Sequence, residues 1–395
     1  MENLTCSNLI ALCRERKVKG YSGKKKAQLL ELLSGIHVIS DPPVGSPSIG
    51  NTYKVLSLFS GMAGLDAGFA EQVVVHRDSV PDAIMTTPHS IEGFVNLQRL
   101  PFRVVFQNDI LPVAKQIAEL NEWAHNYHLK DIRELIAENF TFPQADVIVG
   151  GFPCQDFSHA GKRQGLDASR GTLYQSYVEV VRRVKPLLFI AENVHGLLTM
   201  PGDPIKIIIA DFTAEGYEVK YQLVKCEEYR IPQTRWRVII MGVRSDKKEA
   251  LPDDWNILRE GKGTCPIRPY FLHLQEPTES LDLAQKAYSK AKRLVKGQGQ
   301  KEIDLNYPAP TMRAEHHGNI EFRRVTAGCN KEGNLPERRL TVREAALIQT
   351  FPPDCKLTVG SKVSMTAYKP IGNAVPPLLG YFLARKVHEL LVLMK

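Results

Sequence analysis

A thiol, a carboxyl group and two guanidinium groups sit in segments suited to presenting them for chemistry. The thiol is Cys154, in GGFPCQDFS at 150–158, directly after the apolar run VIV at 147–149. An apolar run that ends in two glycines reads as a buried strand and a turn. Cys154 then stands at the carboxyl end of a strand, the edge where open α/β sheets bind ligands. A cysteine there can act as a nucleophile once cations or oriented dipoles lower its pKa. The alternative is a structural buried cysteine, which the flanking Pro153 and Gln155 and the polar loop that follows argue against. The carboxyl is Glu192, in LLFIAENV at 187–194, and it also follows an apolar strand. A carboxyl at that edge can hold or deliver a proton; the alternative is a Glu-Asn pair that caps a helix. Gln233, Arg235 and Arg237 fall at alternate positions of QTRWR, so a continuous strand would show all three on one face. Two guanidinium groups on that face would help ionise a thiol and attract phosphate, unless they are an edge strand's salt bridges.

The elements that must position these groups follow from the pattern around them. VLSLFSGMAGLDAGF at 55–69 reads as a strand, a glycine-rich turn and a helix. Glycines let backbone amides approach a ligand closely, and the next helix offers its positive end, an arrangement that suits any nucleotide-like cofactor. Apolar strands are expected at 55–59, 102–106, 147–149, 187–191, 217–224 and 238–243, with helical stretches between them. That alternation predicts an α/β fold with a mostly parallel sheet covered by helices on both faces. The pattern breaks at 245–306 and returns with YPAPT at 307–311. RRLTVREAALIQTFP at 338–352, PIGNAVPP at 370–377 and an amphipathic helix at 378–394 complete the chain.

These segments, in this order, resemble the DNA cytosine-5 methyltransferases. The resemblance covers about 54–394, apart from 245–306 and an apparent insertion at 71–100 whose role the sequence does not disclose. It implies a Rossmann-like methyltransferase fold, S-adenosylmethionine as methyl donor, no metal, and double-stranded DNA as substrate. Phe59, Gly61, Met62 and Gly64 would contact the cofactor. Asp109 with Ile110 would meet its ribose, Asp131 with Ile132 its adenine, and Pro153, Leu173 and Asn373 would close the site. FSGMAG places Ala63 where the family has a second glycine, and alanine tolerates every backbone conformation there except positive φ. Cys154 would add to carbon 6 of a flipped cytosine, Glu192 would hold N3 and the exocyclic amine, and Arg237 would hold O2, with Arg235 adding positive field. Asn193 would brace the loop. Gln155, Lys162, Arg163 and Gln233 would meet DNA, and 338–352 would be mostly structural. An RNA-methylating branch of the same fold carries a Cys-Phe-Thr tripeptide that this chain lacks. An inactive DNA binder would not need Cys154, Glu192 and Arg237 together, and a nicotinamide oxidoreductase would not need Pro-Cys-Gln.

Charge and composition agree with a polyanionic partner. The formal net charge is +8, and residues 1–40 hold seven Lys or Arg against three acids. A second basic run at 286–301 carries six cations and no acid. Neutralising phosphates releases counterions, so such patches favour nucleic acid. Residues 1–36 read as two short helices around KGYSGKKK and resemble a SAP motif, a helical DNA-binding module in which Lys24, Lys25 and Lys26 would meet DNA; a hairpin packed on the enzyme is the alternative. A Pro/Gly/Ser-rich linker at 37–52 follows. The expected domains are then 1–36, the catalytic domain at 53–244 and 307–395, and a target recognition domain at 245–306. Seven scattered cysteines without a Cys-x-x-Cys step argue against a disulfide framework or a zinc site. His316 and His317 are adjacent and so poorly placed to share an ion. No apolar run is long enough to span a bilayer, and the first residues lack a secretory leader, so a bacterial cytoplasmic monomer is expected. A restriction endonuclease is the expected functional partner.

Overall fold

In this computed structural model the described residues are 26, 52–153, 173–252, 255–259, 263–292, 302–314, 322–323, 338–358 and 367–395. The chain divides into two units, Met1–Gly50 and Asn51–Lys395. In the first, Lys26 is helical and exposed, and the remainder of the SAP-like segment lies outside the described residues.

The second unit is built on a seven-stranded sheet. Its strands are β1 (Tyr53–Leu58), β5 (Phe102–Asp109), β6 (Tyr127–Leu129), β7 (Val147–Gly150), β8 (Leu188–Val194), β9 (Tyr217–Lys225) and β11 (Trp236–Arg244), in the spatial order β6-β5-β1-β7-β8-β11-β9. The first five run parallel, and β11 lies antiparallel between β8 and β9. All six strands expected from apolar runs are present. β6 is an addition: its Tyr-His-Leu has no apolar run, and it is held by main-chain pairing to β5 and by Asn108 Nδ2, which donates to His128 O and Lys130 O.

Side-chain alternation decides what covers each face. Val55, Val104, Val147, Val149, Leu188, Ile190, Ile239 and Met241 pack with helices α1 (Gly64–Ala70) and, later in the chain, α10 (Pro377–Leu393). Leu56, Leu58, Phe106, Ile148, Phe189, Ala191, Val238 and Ile240 pack with α3 (Ile132–Ala137), α4 (Leu173–Val184) and α5 (Pro204–Ala214). A sheet buried on both faces explains why its strands are continuous apolar runs. α1 and α10 approach so closely that a Cβ on Gly68 would lie 2.2 Å from the carbonyl carbon of Gly380. Glycine at 68 therefore sets how deeply the helix behind the glycine turn can seat.

The insertion folds into an antiparallel sheet of β2 (Val74–His76), β3 (Met85–Pro88) and β4 (Phe94–Leu97), in the order β2-β4-β3. Val75, Val80, Ile84, Val95 and Leu97 join the α1/α10 core, while the Phe94 ring meets Tyr270 and His273 edge-on. The described part of 245–306 is mostly irregular, with two short helices, α6 (Arg268–Phe271) and α7 (Leu283–Lys286). Its Trp255 and Ile257 join the α1/α10 core. Ile267, Tyr270 and Leu305 pack with α8 (Val342–Ile348). The 338–352 segment holds that region in place. Thr341 and Glu344 form a capping box on α8, and Arg338 donates to both Glu344 oxygens at 2.8 Å and to Glu276. Arg343 pairs with Asp282, and Arg339 donates to the carbonyls of Ala291 and Lys292. Among the described residues no helix is long and apolar enough to cross a membrane, and Cys226, Cys265 and Cys355 are free and buried.

Candidate active site

The carboxyl ends of β1, β5, β7 and β8 open into a cavity of about 980 Å³. The turn after β1 forms its floor and is tightly held. Ser60 N donates to Asn108 O, and Asn108 N donates to Ser60 Oγ. Gly61 N donates to Asp109 Oδ2 at 2.8 Å, and the Tyr127 hydroxyl donates to Gly61 O. Ala63 has φ 66° and ψ 30°, the left-handed conformation the sequence reading expected alanine to avoid. That strain costs about 1–2 kcal/mol. It is offset by complete burial of the methyl group and by the bond from Ala63 N to Ser60 O.

Phe59, Gly61, Gly64, Asp109, Ile110, Asp131, Ile132, Pro153, Leu173 and Asn373 all line this cavity. Met62 does not. It is fully buried and packs in the core that holds Phe351 and, from α2 (Pro112–Leu120), Ala114 and Ile117, because its place in the turn directs the side chain away from the opening. Asp109 accepts from Gly61 N with one oxygen and from Leu111 N with the other, and burial pushes its carboxyl above the usual range. Asp131 is the N-cap of α3: it accepts from Arg133 N and pairs with the Arg133 guanidinium at 2.6 Å, which holds its carboxyl below the usual range. A carboxylate beside an amide-lined turn, with apolar Ile110, Ile132 and Leu173 around it, suits a nucleoside that carries an amino-acid tail. S-Adenosylmethionine fits that description.

Glu192 stands in the wall with Arg237. Their Oε1 and Nε lie 2.6 Å apart and both side chains are about nine-tenths buried, yet Glu192 Oε1 receives no well-aligned hydrogen bond. The ion pair leaves the carboxylate with acceptor capacity. Glycine at 151 makes room for it, since a Cβ there would lie 2.7 Å from Glu192 Oε2. Asn193 braces the neighbouring turn as expected: its Nδ2 donates to Phe152 O at 3.1 Å, and its Oδ1 accepts from Val194 N. The turn after β7 is thereby tied to the end of β8, which brings Pro153 and Glu192 to one cavity. Cys154, Gln155, Lys162 and Arg163 lie outside the described residues, as do Lys24 and Lys25.

The QTRWR segment departs from its expected geometry. The strand is interrupted at Arg235, between β10 (Gln233–Thr234) and β11, and β10 pairs instead with β12 (Ala309–Pro310). Gln233 is fully buried and faces no opening. Its Oε1 accepts from Met312 N at 2.8 Å, and its Nε2 donates to Gln349 Oε1 at 2.7 Å and to Ile348 O. Arg235 is also buried, and it donates to Met312 O, Gly372 O and Ala374 O at 2.9–3.1 Å. Burial pushes its guanidinium down to about 9. Gln233 and Arg235 thus clamp the 309–313 return and the end of α9 (Tyr368–Asn373) against the sheet, and Arg235 also lines the cavity with Glu192 and Arg237, its Nε buried without a hydrogen-bond partner. Arg237 is the one of the three whose guanidinium pairs with Glu192.

Residues 53–389 match the family model of C-5 cytosine-specific DNA methylases. The chain belongs to that family. This methylase is 32% identical to the type II methyltransferase M.BspRI of Lysinibacillus sphaericus, over 85% of this chain and 82% of that one. It is 31% identical to the type II methyltransferase M.BsuRI of Bacillus subtilis, over 85% of this chain and 79% of that one. In fold it resembles the Entamoeba histolytica methyltransferase EhMeth, with a TM-score of 0.57 at 16% identity, over 86% of this chain and 98% of that one. The enzyme is accordingly a methyltransferase that acts on carbon 5 of cytosine in DNA.

Four charged residues in the methylase cavity went unread in the sequence: Asp66, Arg133, Arg313 and Lys369. Asp66 sits in GLDAGF, where it reads as an ordinary first-turn helix acid. Arg313 follows the PAPT return by two residues. Its Nη1 is buried with no hydrogen-bond partner, which suits an anionic group in the cavity. The place of Arg313, just beyond β12 in the segment that returns to the catalytic layer, was the available signal.

Proposed function

We propose that the methylase works through a transient covalent bond between Cys154 and carbon 6 of a cytosine flipped out of duplex DNA, with S-adenosylmethionine as methyl donor. The observation that carries this reading is the Glu192–Arg237 ion pair in the wall of the glycine-turn cavity, beside the residue that precedes Cys154. The Cys154 thiolate adds to carbon 6 while Glu192 supplies a proton to N3, so the ring becomes a neutral enamine, nucleophilic at carbon 5. Arg237 holds Glu192 in place and its remaining donors face O2. When bound, S-adenosylmethionine supplies an electrophilic methyl group on a sulfonium. After transfer, a base removes the carbon-5 proton, the thiolate leaves and the N3 proton returns to Glu192, which restores the aromatic ring and the free enzyme. Asp109 is assigned to the ribose hydroxyls. Asp131 is assigned to the adenine amine, which it can accept with a lone pair that Arg133 does not use. Asn373 closes the site.

Flipping the base costs a few kcal/mol, offset by contacts in the pocket. Residues 245–306 form the recognition region, with the basic run at 286–301 facing phosphate and 338–352 holding it against the catalytic layer. Residues 1–36 form a SAP-like DNA anchor. In this reading the protein is a monomer of the bacterial cytoplasm that protects host DNA and is paired functionally with an endonuclease; its likeness to relatives named type II methyltransferases supports the protective role. Removal of residues 1–40 weakens DNA binding and flattens its salt dependence while the methylated site stays the same.

Duplexes that carry 5-fluorocytosine at the target test the covalent step, because fluorine cannot leave as a proton and the adduct persists. Denaturing mass spectrometry should show enzyme plus DNA plus one methyl for the wild type and no adduct for Cys154→Ala. An adduct that survives in Cys154→Ala refutes the assignment.

A further inference from the structure

Asp66 differs from the other carboxylates of the cavity wall. Asp131 has Arg133 and Glu192 has Arg237, each at 2.6 Å, while Asp109 lies in the field of Lys369. Asp66 lines the same cavity and is 2% exposed, yet its hydrogen-bond partners are neutral. Ser57 Oγ donates to its Oδ1 at 2.7 Å and Gln107 Nε2 donates to its Oδ2 at 2.6 Å. The other charged groups that act on it are His125 and Glu71, which neutralise each other in a 2.5 Å contact. An ionised carboxylate in that setting lacks a countercharge, and burying an unpaired charge is costly. A cationic ligand in the cavity would supply the countercharge.

We propose that the Asp66 carboxylate makes the cofactor cavity select a cationic sulfonium over the neutral thioether left after methyl transfer. Asp66 would then set the preference for S-adenosylmethionine over S-adenosylhomocysteine and favour release of the spent cofactor. The two ligands differ by one methyl group and one charge. A field from Asp66 therefore acts on one and not the other, whereas a brace on the glycine turn would act on both alike. The inference rests on the assignment of this cavity to S-adenosylmethionine. Burial raises the Asp66 carboxyl to about 6, so it is ionised at pH 8, where the test is made.

Isothermal titration of each ligand into the full chain, without DNA, measures the ratio of the two affinities for wild type, Asp66→Asn and Asp66→Glu. Asparagine is nearly isosteric: its oxygen can accept from Gln107 and its amide can donate to Ser57, so the turn keeps its support. Asp66→Asn should lower the ratio about tenfold, mainly by weakening the sulfonium ligand, as expected when one unit charge is removed from a partly screened site. Asp66→Glu should stay within about twofold of wild type. Affinities that fall together, or that do not change, overturn the proposal and leave Asp66 a structural brace. Wild-type protein that binds neither ligand overturns the cofactor assignment itself, which separates the two failures. If Asp66→Asn does not melt cooperatively, Asp66→Ser removes the same charge and is read the same way.

Discussion

Replacing Gln233 with alanine separates a structural clamp from a DNA contact. Gln233 is buried and spends its amide on three partners: Met312 N at 2.8 Å, Gln349 Oε1 at 2.7 Å and Ile348 O at 3.3 Å. Alanine would leave the Met312 amide and the Gln349 carbonyl buried and unpaired, at about 1–3 kcal/mol each. The vacated side-chain volume adds a smaller term, and partial relaxation of Gln349 recovers some of the loss. A net destabilisation of about 3 kcal/mol follows, or about 4 °C in Tm for a unit of this size. Calorimetry measures that shift, and fluorescence anisotropy across a salt series measures DNA binding. Because Gln233 reaches no DNA, Kd should stay within about twofold of wild type across the salt series, whereas loss of a direct hydrogen bond to DNA would weaken it about tenfold. Unchanged Tm together with such a weakened Kd would refute the clamp and restore the DNA-facing reading.

Three further outcomes follow from the geometry. Gly151→Ala places a Cβ 2.7 Å from Glu192 Oε2; displacing that carboxylate should cut kcat at least about tenfold in a single-turnover methylation assay, with cofactor affinity unchanged. Arg338→Met strips the cation from Glu344, which is fully buried, and should cost about 3–5 kcal/mol in urea unfolding; a loss under about 1 kcal/mol would contradict the buried pair. Asp66 is held in the fold at about 6, above its ordinary 3.8, so the folded state binds the proton more tightly than the unfolded chain does. The stability this contributes is fully present below about pH 4 and is lost as pH rises through about 6, an effect on the order of 2–3 kcal/mol. Asp66→Asn should therefore match wild type near pH 4 and exceed it above pH 7 in denaturant midpoints; identical midpoints at both pH values would contradict it.

The outcome at each residue shows which physics can be read from sequence. β1, the glycine turn and the placement of Glu192 were legible because they depend on local pattern: an apolar run, a break, and the strand end that must follow. Asn193 was legible for the same reason, since it acts on a turn it adjoins in space through β7–β8 pairing. Gln233 was misread, and the clamping by Arg235 was missed, because alternation assumes an unbroken strand. The break at Arg235 is made by partners 75 to 140 residues away, namely Ala309, Met312, Gly372 and Ala374. β6 escaped notice because a three-residue edge strand without an apolar run leaves no pattern, and is held by main-chain pairing and Asn108. Ala63 adopts left-handed backbone because the turn needs it, and the cost is met by packing that no single residue reveals. The insertion at 71–100 has patterned apolar residues, but its role depends on contacts with Tyr270 and His273, far along the chain.

The central claim is tested most directly by mapping 5-methylcytosine across the genome of a host without DNA cytosine methylation, after expression of wild-type protein and, separately, of Cys154→Ala. The account predicts methylation of one short motif with the wild type and none with the variant, while the variant still retards DNA that carries that motif. Equal methylation by both proteins would contradict the nucleophile assignment. A wild type that folds and binds S-adenosylmethionine but leaves the genome unmethylated would contradict the assignment of duplex DNA as substrate.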